Sequence, residues 1–424
     1  MTAEKPNHPE IYQPKHHIRY VTAASLFDGH DASINIFRRL LQSYGAEVIH
    51  LGHNRSVQDV VEAALCEDVQ GIAISSYQGG HVEYFKYLKQ LLKSRGADHI
   101  KIYGGGGGVI VQEEIQDLES SGITKIFSPE DGRTLGLAGI ISSMLEGTDF
   151  SPKDLGTIKG DSTKPEVLGR LITMIEEGEN PPIEPGEKSC PVLGITGPGG
   201  AGKSSLTDEL LNRFLEANPH LRICVFAVDP TRKKTGGALL GDRIRINSLS
   251  LHPDQIFFRS LATRKSGGTV SDALSRILSV FKKLPFDLII VETSGSGQSD
   301  AEITEIADVN LYAMTPEFGA PSQLEKIAML DFADIVALNK GDRAGAKDAL
   351  MHVRKQYQRN HNRFSEDPQE MPVYTTVAAR FQDSGVTQLY SALVGLIAKK
   401  TGVSFAPIDR SSPDLDTTEI LPAG

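Results

Sequence analysis

VLGITGPGGAGKSSLTDELLNRF, residues 192–214, reads in three parts. Val192–Thr196 is a short apolar run of strand type. Gly197–Ser204 has the spacing GxxxxGK[ST], and from Ser205 to Phe214 apolar residues recur at helical spacing. A strand that feeds a glycine-rich loop and then a helix turns successive backbone N–H groups, and the positive end of the helix, toward one point. Phosphate is what such a point holds. Gly197, Gly200, Ala201, Gly202, Ser204 and Ser205 form the cradle. Lys203 brings a full charge to the β- and γ-phosphates, which makes it the catalytic candidate, and the Ser204 hydroxyl serves Mg²⁺. A chance glycine-rich turn would not come with both the strand and the helix.

Beyond this block, strand patterns fall at Ile223–Val228, Leu288–Glu292, Val309–Met314 and Ile335–Asn339, so an α/β domain is expected over 189–402. Asp229 and Glu292 end two of these strands, and Asp242 lies in GGALLGDRIR. Carboxylates at strand ends face the ligand crevice of such a sheet, and Mg²⁺ takes hard oxygen ligands. Asn339-Lys340-Gly341-Asp342 follows the last of the four strands. A carboxylate there can accept hydrogen bonds from N1 and the exocyclic amine of guanine together, a donor pair adenine lacks. GTP is therefore the expected substrate. Thr376-Val377-Ala378, after Val373–Thr375, is placed to line the other face of the base.

Toward the N-terminus, residues 17–146 alternate helical patterns with apolar runs at Ile18–Ala23, Glu47–Leu51, Gly71–Ser75, His99–Tyr103 and Lys125–Phe127. Five β–α units predict a small doubly wound parallel sheet with its ligand at the carboxyl ends of the strands. Three features fall there: Asp28-Gly29-His30, Ser75-Ser76-Tyr77 and the glycine run 104–108. His30 can offer an imidazole nitrogen to a metal while Asp28 holds the other ring N–H. Taken by itself, a histidine such as His30 is more often a capping or core residue, and it is the three features together that favour a ligand. Five glycines leave a groove free of side chains, suited to a bulky planar ligand. Residues 147–188 are a linker with one helical arm, PEVLGRLITMIEEG, and 403–424 read as a disordered tail.

With 44 basic and 54 acidic residues the net charge is −10, so no general attraction to nucleic acid or anionic membranes is expected. Cys66, Cys190 and Cys224 are too widely spaced for a zinc or disulfide framework. The N-terminus lacks the apolar core of a signal peptide, and no run approaches a membrane span of ~18 apolar residues. A cytoplasmic location is expected.

The loop block, with VDPTRKKTGGALLGDRIRIN (228–247), VETSGSGQSD (291–300) and NKGD (339–342), resembles the G-protein chaperones of methylmalonyl-CoA mutase, in the version built into fused isobutyryl-CoA mutases. LFDGHDASINI (26–36) and SSYQGGHVEYFKY (75–87) resemble the cobalamin-binding domain of the same fused enzymes. The resemblance implies a flavodoxin-like cobalamin-binding domain followed by a P-loop GTPase domain that loads and protects adenosylcobalamin in an acyl-CoA mutase. It implies Mg²⁺ held among Ser204, Asp229, Asp242, Glu292, Thr293 and the Val228 carbonyl, Arg245 at the nucleotide, and switch segments at 235–242 and 293–300. Glu292 stands where most GTPases carry aspartate, and no glutamine takes a water-positioning role.

In the first domain it implies His30 as the lower cobalt ligand. Ser75, Gly107 and Gly108, with 127–131 including Pro129, would line a pocket for the cofactor's displaced base. Ser33 replaces the motif's last glycine, and Tyr77 a leucine. The acyl-CoA-binding barrel is expected outside the chain, in a mutase large subunit or a C-terminal substrate domain. An adenosyltransferase donor and a homo-oligomer complete the expected partners. A delivery GTPase for a separate mutase and a cobalamin-sensing regulatory GTPase remain the alternatives.

Overall fold

Two all-parallel sheets share one buried joint in the computed structural model, which describes residues 12–156, 161–179, 189–232, 234–264, 271–293, 295 and 298–408. The first contains β1 (Arg19–Ser25), β2 (Glu47–Arg55), β3 (Gly71–Ser75), β4 (Lys101–Gly105) and β5 (Lys125–Phe127). Their order is β5-β4-β3-β1-β2, so the direction of winding reverses between β3 and β1, where a crevice opens. On one face lie α1 (Ala32–Ser43) and α5 (Pro129–Gly147). On the other lie α2 (Val57–Cys66), α3 (His81–Ser94) and α4 (Gln112–Ser120). Covered on both sides, the inner strands need continuous apolar runs, and β1 is buried throughout.

The second sheet is built from β6 (Val192–Thr196), β7 (Ile223–Asp229), β9 (Ile256–Ala262), β10 (Leu288–Thr293), β11 (Val309–Met314), β12 (Ile335–Asn339) and β13 (Val373–Thr376), in the order β13-β12-β11-β6-β10-β7-β9. The α/β fold class and every strand predicted in it are present. Two strands escaped the sequence. β9, IFFRSLA, carries a charge in its middle, and β8 (Ala238–Leu240) is three residues long and leaves its own domain to extend the first sheet beside β2.

The expected arm becomes α6 (Pro165–Glu176), wedged between α2 and the helix Ser271–Phe281. Residues 168–175 are all buried, as a helix enclosed on every side must be. Beside it runs a buried ionic network. Arg19 donates to Glu47 at 2.6 Å and to Glu67 at 2.5 Å, Arg259 to Glu176 at 2.9 Å, and Arg264 to Glu47 at 2.6 Å. Glu67 also accepts from the Ser260 N–H and hydroxyl, both at 3.0 Å. Arg259 is therefore tolerated in β9 because acids from the first domain and the arm neutralise it.

Burial alone would raise the Glu47 carboxyl, but Arg264 and Arg19 override it and hold the group far below its ordinary 4.5. A depressed folded value contributes stability that is present above 4.5 and lost as pH falls below it. Glu47→Gln removes the charge shared by Arg19 and Arg264, leaving them Glu67 and Glu176, and is expected to cost about 3 kcal/mol at neutral pH. Urea midpoints of variant and wild type should converge as pH drops through the acid range. A gap that stays constant would show that the pairing contributes nothing.

Residues 403–408, expected to belong to a disordered tail, are part of the fold. Phe405 is buried with its ring 5.3 Å from that of Phe214, and the Ala406 carbonyl accepts from the Tyr390 hydroxyl at 2.7 Å. Residues 403–408 thus finish the second core, with Val403 and Ile408 packed against it on either side of Phe405. Residues 409–424, and the linker segment 180–188, lie outside the described residues. Among the described residues no helix is long and apolar enough to cross a membrane.

Candidate functional site

β6 sits between β11 and β10, so its loop emerges at the centre of the second sheet and opens into α7 (Lys203–Ala217). Gly202 has φ +84°, and a Cβ there would lie 2.4 Å from the Asn339 side-chain nitrogen. That close approach reflects a brace: Asn339 Nδ2 donates to the Ala201 carbonyl at 2.9 Å and Lys340 Nζ to the Gly200 carbonyl at 2.7 Å. Asn339 Oδ1 accepts from the Ala378 N–H at 3.0 Å and the Thr376 hydroxyl at 3.2 Å. The loops after β6, β12 and β13 are thereby brought together as the sequence predicted. Asn339 and Lys340 are committed to holding them, while Asp342 stays exposed. Lys203 Nζ folds back onto the Gly197 carbonyl at 2.7 Å and the Pro198 carbonyl at 3.2 Å.

Next to the lysine the acids converge. The Ser204 hydroxyl donates to Glu292 at 2.7 Å and stands 3.4 Å from Asp242, which pairs with Arg245. Thr207 Oγ1 donates to the other Glu292 oxygen at 2.8 Å. Sequence reading missed Thr207, whose signal is its place one helical turn beyond Ser204 on the same face. Thr293 donates to Thr196 at 2.9 Å, and Val228, before Asp229 in β7, pairs with Thr293 in β10. In the second expected switch segment, residues 294, 296 and 297 lie outside the described residues.

Asp229 Oδ2 is buried without a hydrogen-bond partner among the described residues, and burial together with the charge of Glu292 lifts its carboxyl to about 6. Burial also raises Glu292, against the hydroxyls of Ser204 and Thr207. An acid with one buried, unpartnered oxygen beside a second acid fits a cation site. Among the described residues no three His, Cys, Asp or Glu side chains close around a point. Mg²⁺ at a nucleotide needs no such cage, since phosphate and water fill most of its shell.

In the first sheet, the crevice between β1 and β3 holds the second constellation. Asp28 is fully buried: one oxygen accepts from the His30 N–H at 2.8 Å and faces His30 Nδ1 at 2.9 Å, the other accepts from the Tyr77 N–H at 2.6 Å. With Nδ1–H donating to the carboxylate, Nε2 keeps its lone pair on a largely exposed ring. Beside it a cavity of about 210 Å³ runs between the sheet and the α1–α5 layer. Ser33, Phe37, Ser75, Gly107, Pro129 and Met144 are among its lining residues. Pro129 arrives there because Ser128 caps α5, accepting from the Asp131 N–H at 3.2 Å.

Gly108, expected alongside Gly107, is exposed on the rim and does not line the cavity, because the chain turns outward at Gly107. Ser33 and Tyr77, the two departures from the motif, are partners: their hydroxyls lie 2.6 Å apart. The Ser75 hydroxyl is buried in the cavity wall with no hydrogen-bond partner among the described residues. An apolar slot with one unanswered hydroxyl, next to an oriented imidazole, can take a flat heteroaromatic group beside a metal.

The family model for the methylmalonyl-CoA mutase-associated GTPase MeaB matches residues 183–404, and that for the B12-binding domain matches 18–138. The fused isobutyryl-CoA mutase of Geobacillus kaustophilus (strain HTA426) is 57% identical over 412 residues, which cover 93% of this chain and 38% of that protein. That of Cupriavidus metallidurans (strain ATCC 43123 / DSM 2839 / NBRC 102507 / CH34) is 56% identical over 407 residues, 93% of this chain and 37% of its own. The chain thus spans little more than a third of the length of these relatives.

Proposed function

This chain belongs to the methylmalonyl-CoA mutase-associated GTPases, joined behind a B12-binding domain, and on that premise we propose that it carries adenosylcobalamin for an acyl-CoA mutase and gates the cofactor's loading by hydrolysing Mg²⁺-bound GTP. The substrate class is a four-carbon acyl-CoA, the isobutyryl-CoA named in its relatives with straight-chain butyryl-CoA as its isomer, and we place the part that binds it outside these 424 residues. The partner is then a mutase substrate domain or subunit, with an adenosyltransferase as the cofactor's source, in the cytoplasm. The observation that carries the reading is the His30 ring, oriented by buried Asp28 at the mouth of an apolar cavity.

When bound, cobalamin supplies homolysis of a cobalt–carbon bond, chemistry no side chain offers. Asp28 keeps the proton on Nδ1 and leaves Nε2 basic toward cobalt. The apolar walls would keep water from the cofactor's displaced base, and the Ser75 hydroxyl would be available to bond it. In the second domain Lys203 and the loop N–H groups hold the phosphates, while Ser204, Asp229, Asp242 and Glu292 answer the cation. Arg245, paired with Asp242, would reach the nucleotide.

Replacing His30 tests the reading. The wild-type chain with adenosylcobalamin should show the visible spectrum of cobalt ligated by protein histidine, with the cofactor's own base displaced. His30→Ala should lose that signature and bind about 10–100-fold more weakly. An unchanged spectrum would remove His30 from the site.

A further inference from the structure

We infer that the short strand β8 couples the two sites, so that Mg²⁺·GTP and cobalamin each alter the other's affinity; the inference rests on the proposed function and adds the route. By sequence β8 belongs to the nucleotide domain, two residues before Asp242. By structure it is the edge of the first sheet, with Glu47, Val48 and Ile49 in register with Ala238, Leu239 and Leu240. Its side chains alternate as a strand requires. Ala238 and Leu240 are fully buried in the core under α2 and α3, and Leu239 packs on the opposite face with Ile34, Leu41 and Val48.

The joint extends beyond the strand. A Cβ on Gly237 would lie 2.1 Å from the Gln42 carbonyl, so the segment touches the last turn of α1 backbone to backbone. Thr235 Oγ1 donates to the same carbonyl at 3.4 Å, and the Ala238 N–H to the Ala46 carbonyl at 3.2 Å. On the other side of Asp242, Ile244 lies over Gly52. Asp242 is therefore flanked on both sides by contacts to the first domain, while its carboxylate lies 3.4 Å from the Ser204 hydroxyl.

The opposite end of α1 carries Ser33, Ile34 and Phe37 into the cavity wall. One helix thus meets the cavity at its start and the Asp242 segment at its end, roughly 14 Å apart at helical rise. A cation that draws Asp242 toward Ser204 must pull on Leu240 and Gly237, which bear on β2 and α1. Two sites joined by one packed element share a coupling free energy, and that coupling is reciprocal.

The test titrates the full chain with adenosylcobalamin, followed by absorbance, with and without saturating Mg²⁺ and a non-hydrolysable GTP analogue. The reverse titration follows the analogue with and without cobalamin. Wild type should show a shift of about 5-fold or more, equal in both directions. Both ligands binding independently would overturn the inference and leave the two sites standing. Failure of either ligand to bind would overturn the proposed function and the inference with it. Gly237→Val, which forces the segment off α1, and Leu240→Ala, which keeps the backbone ladder, should each shrink the shift below roughly 2-fold. A full shift in folded variants would overturn the route. Amide hydrogen exchange at 238–240 in wild type should change when the analogue binds, and unchanged protection would also overturn it.

Discussion

Lys203→Ala is expected to lower GTP hydrolysis by about 10²–10³-fold, the loss typical of removing one preorganised group from developing transition-state charge. The ammonium is nearly buried at the start of α7 and lies on the Gly197 and Pro198 carbonyls, where incoming phosphates displace weaker partners. A Cβ on Gly295 would stand 3.1 Å from Nζ, so the lysine also borders the segment after Glu292. Truncation to alanine takes away charge and reach together while the backbone cradle remains, which predicts a larger loss in turnover than in nucleotide affinity. Phosphate release under saturating GTP measures it. With nucleotide absent, cobalamin titration of the variant should match wild type, since Lys203 opens α7 of the second domain, away from the first sheet. Hydrolysis at the wild-type rate would refute the site.

Much of this architecture could be read from the chain because the strands that position the loops are buried on both faces and therefore written as continuous apolar runs. Gly71–Ser75, Val192–Thr196 and Val309–Met314 begin and end where their hydropathy does. The motif residues followed, since they sit at the ends of those strands. What stayed hidden depends on partners far away in sequence. Arg259 makes β9 look polar until Glu176 and Glu67 are placed beside it. β8 is too short to announce a period, and only its neighbour β2 gives it a reason to be extended. Ser33 and Tyr77 look like two faults in a motif, and become one hydrogen bond when the loops meet.

Asp342→Asn should have the largest effect on specificity, because its neighbours in the motif are already engaged. The Asn339 amide is used at both ends, on Ala201, Thr376 and Ala378, and Lys340 is held by Gly200. Asp342, exposed and without a hydrogen bond to any other described residue, is the group left to read a base edge. A carboxylate offers two acceptors, matching the N1–H and exocyclic amine of guanine. An amide offers one acceptor and one donor, so with guanine one donor meets another and a hydrogen bond is lost where water cannot replace it. GTP affinity should fall by as much as about 10⁴-fold. Xanthine carries a carbonyl where guanine has its amine, and so presents one donor and one acceptor. The variant should therefore bind and hydrolyse xanthosine triphosphate in preference to GTP, with the phosphate-holding groups unchanged. Competition between the two nucleotides in one hydrolysis assay decides it, and a variant that still prefers GTP would mean the base is read elsewhere.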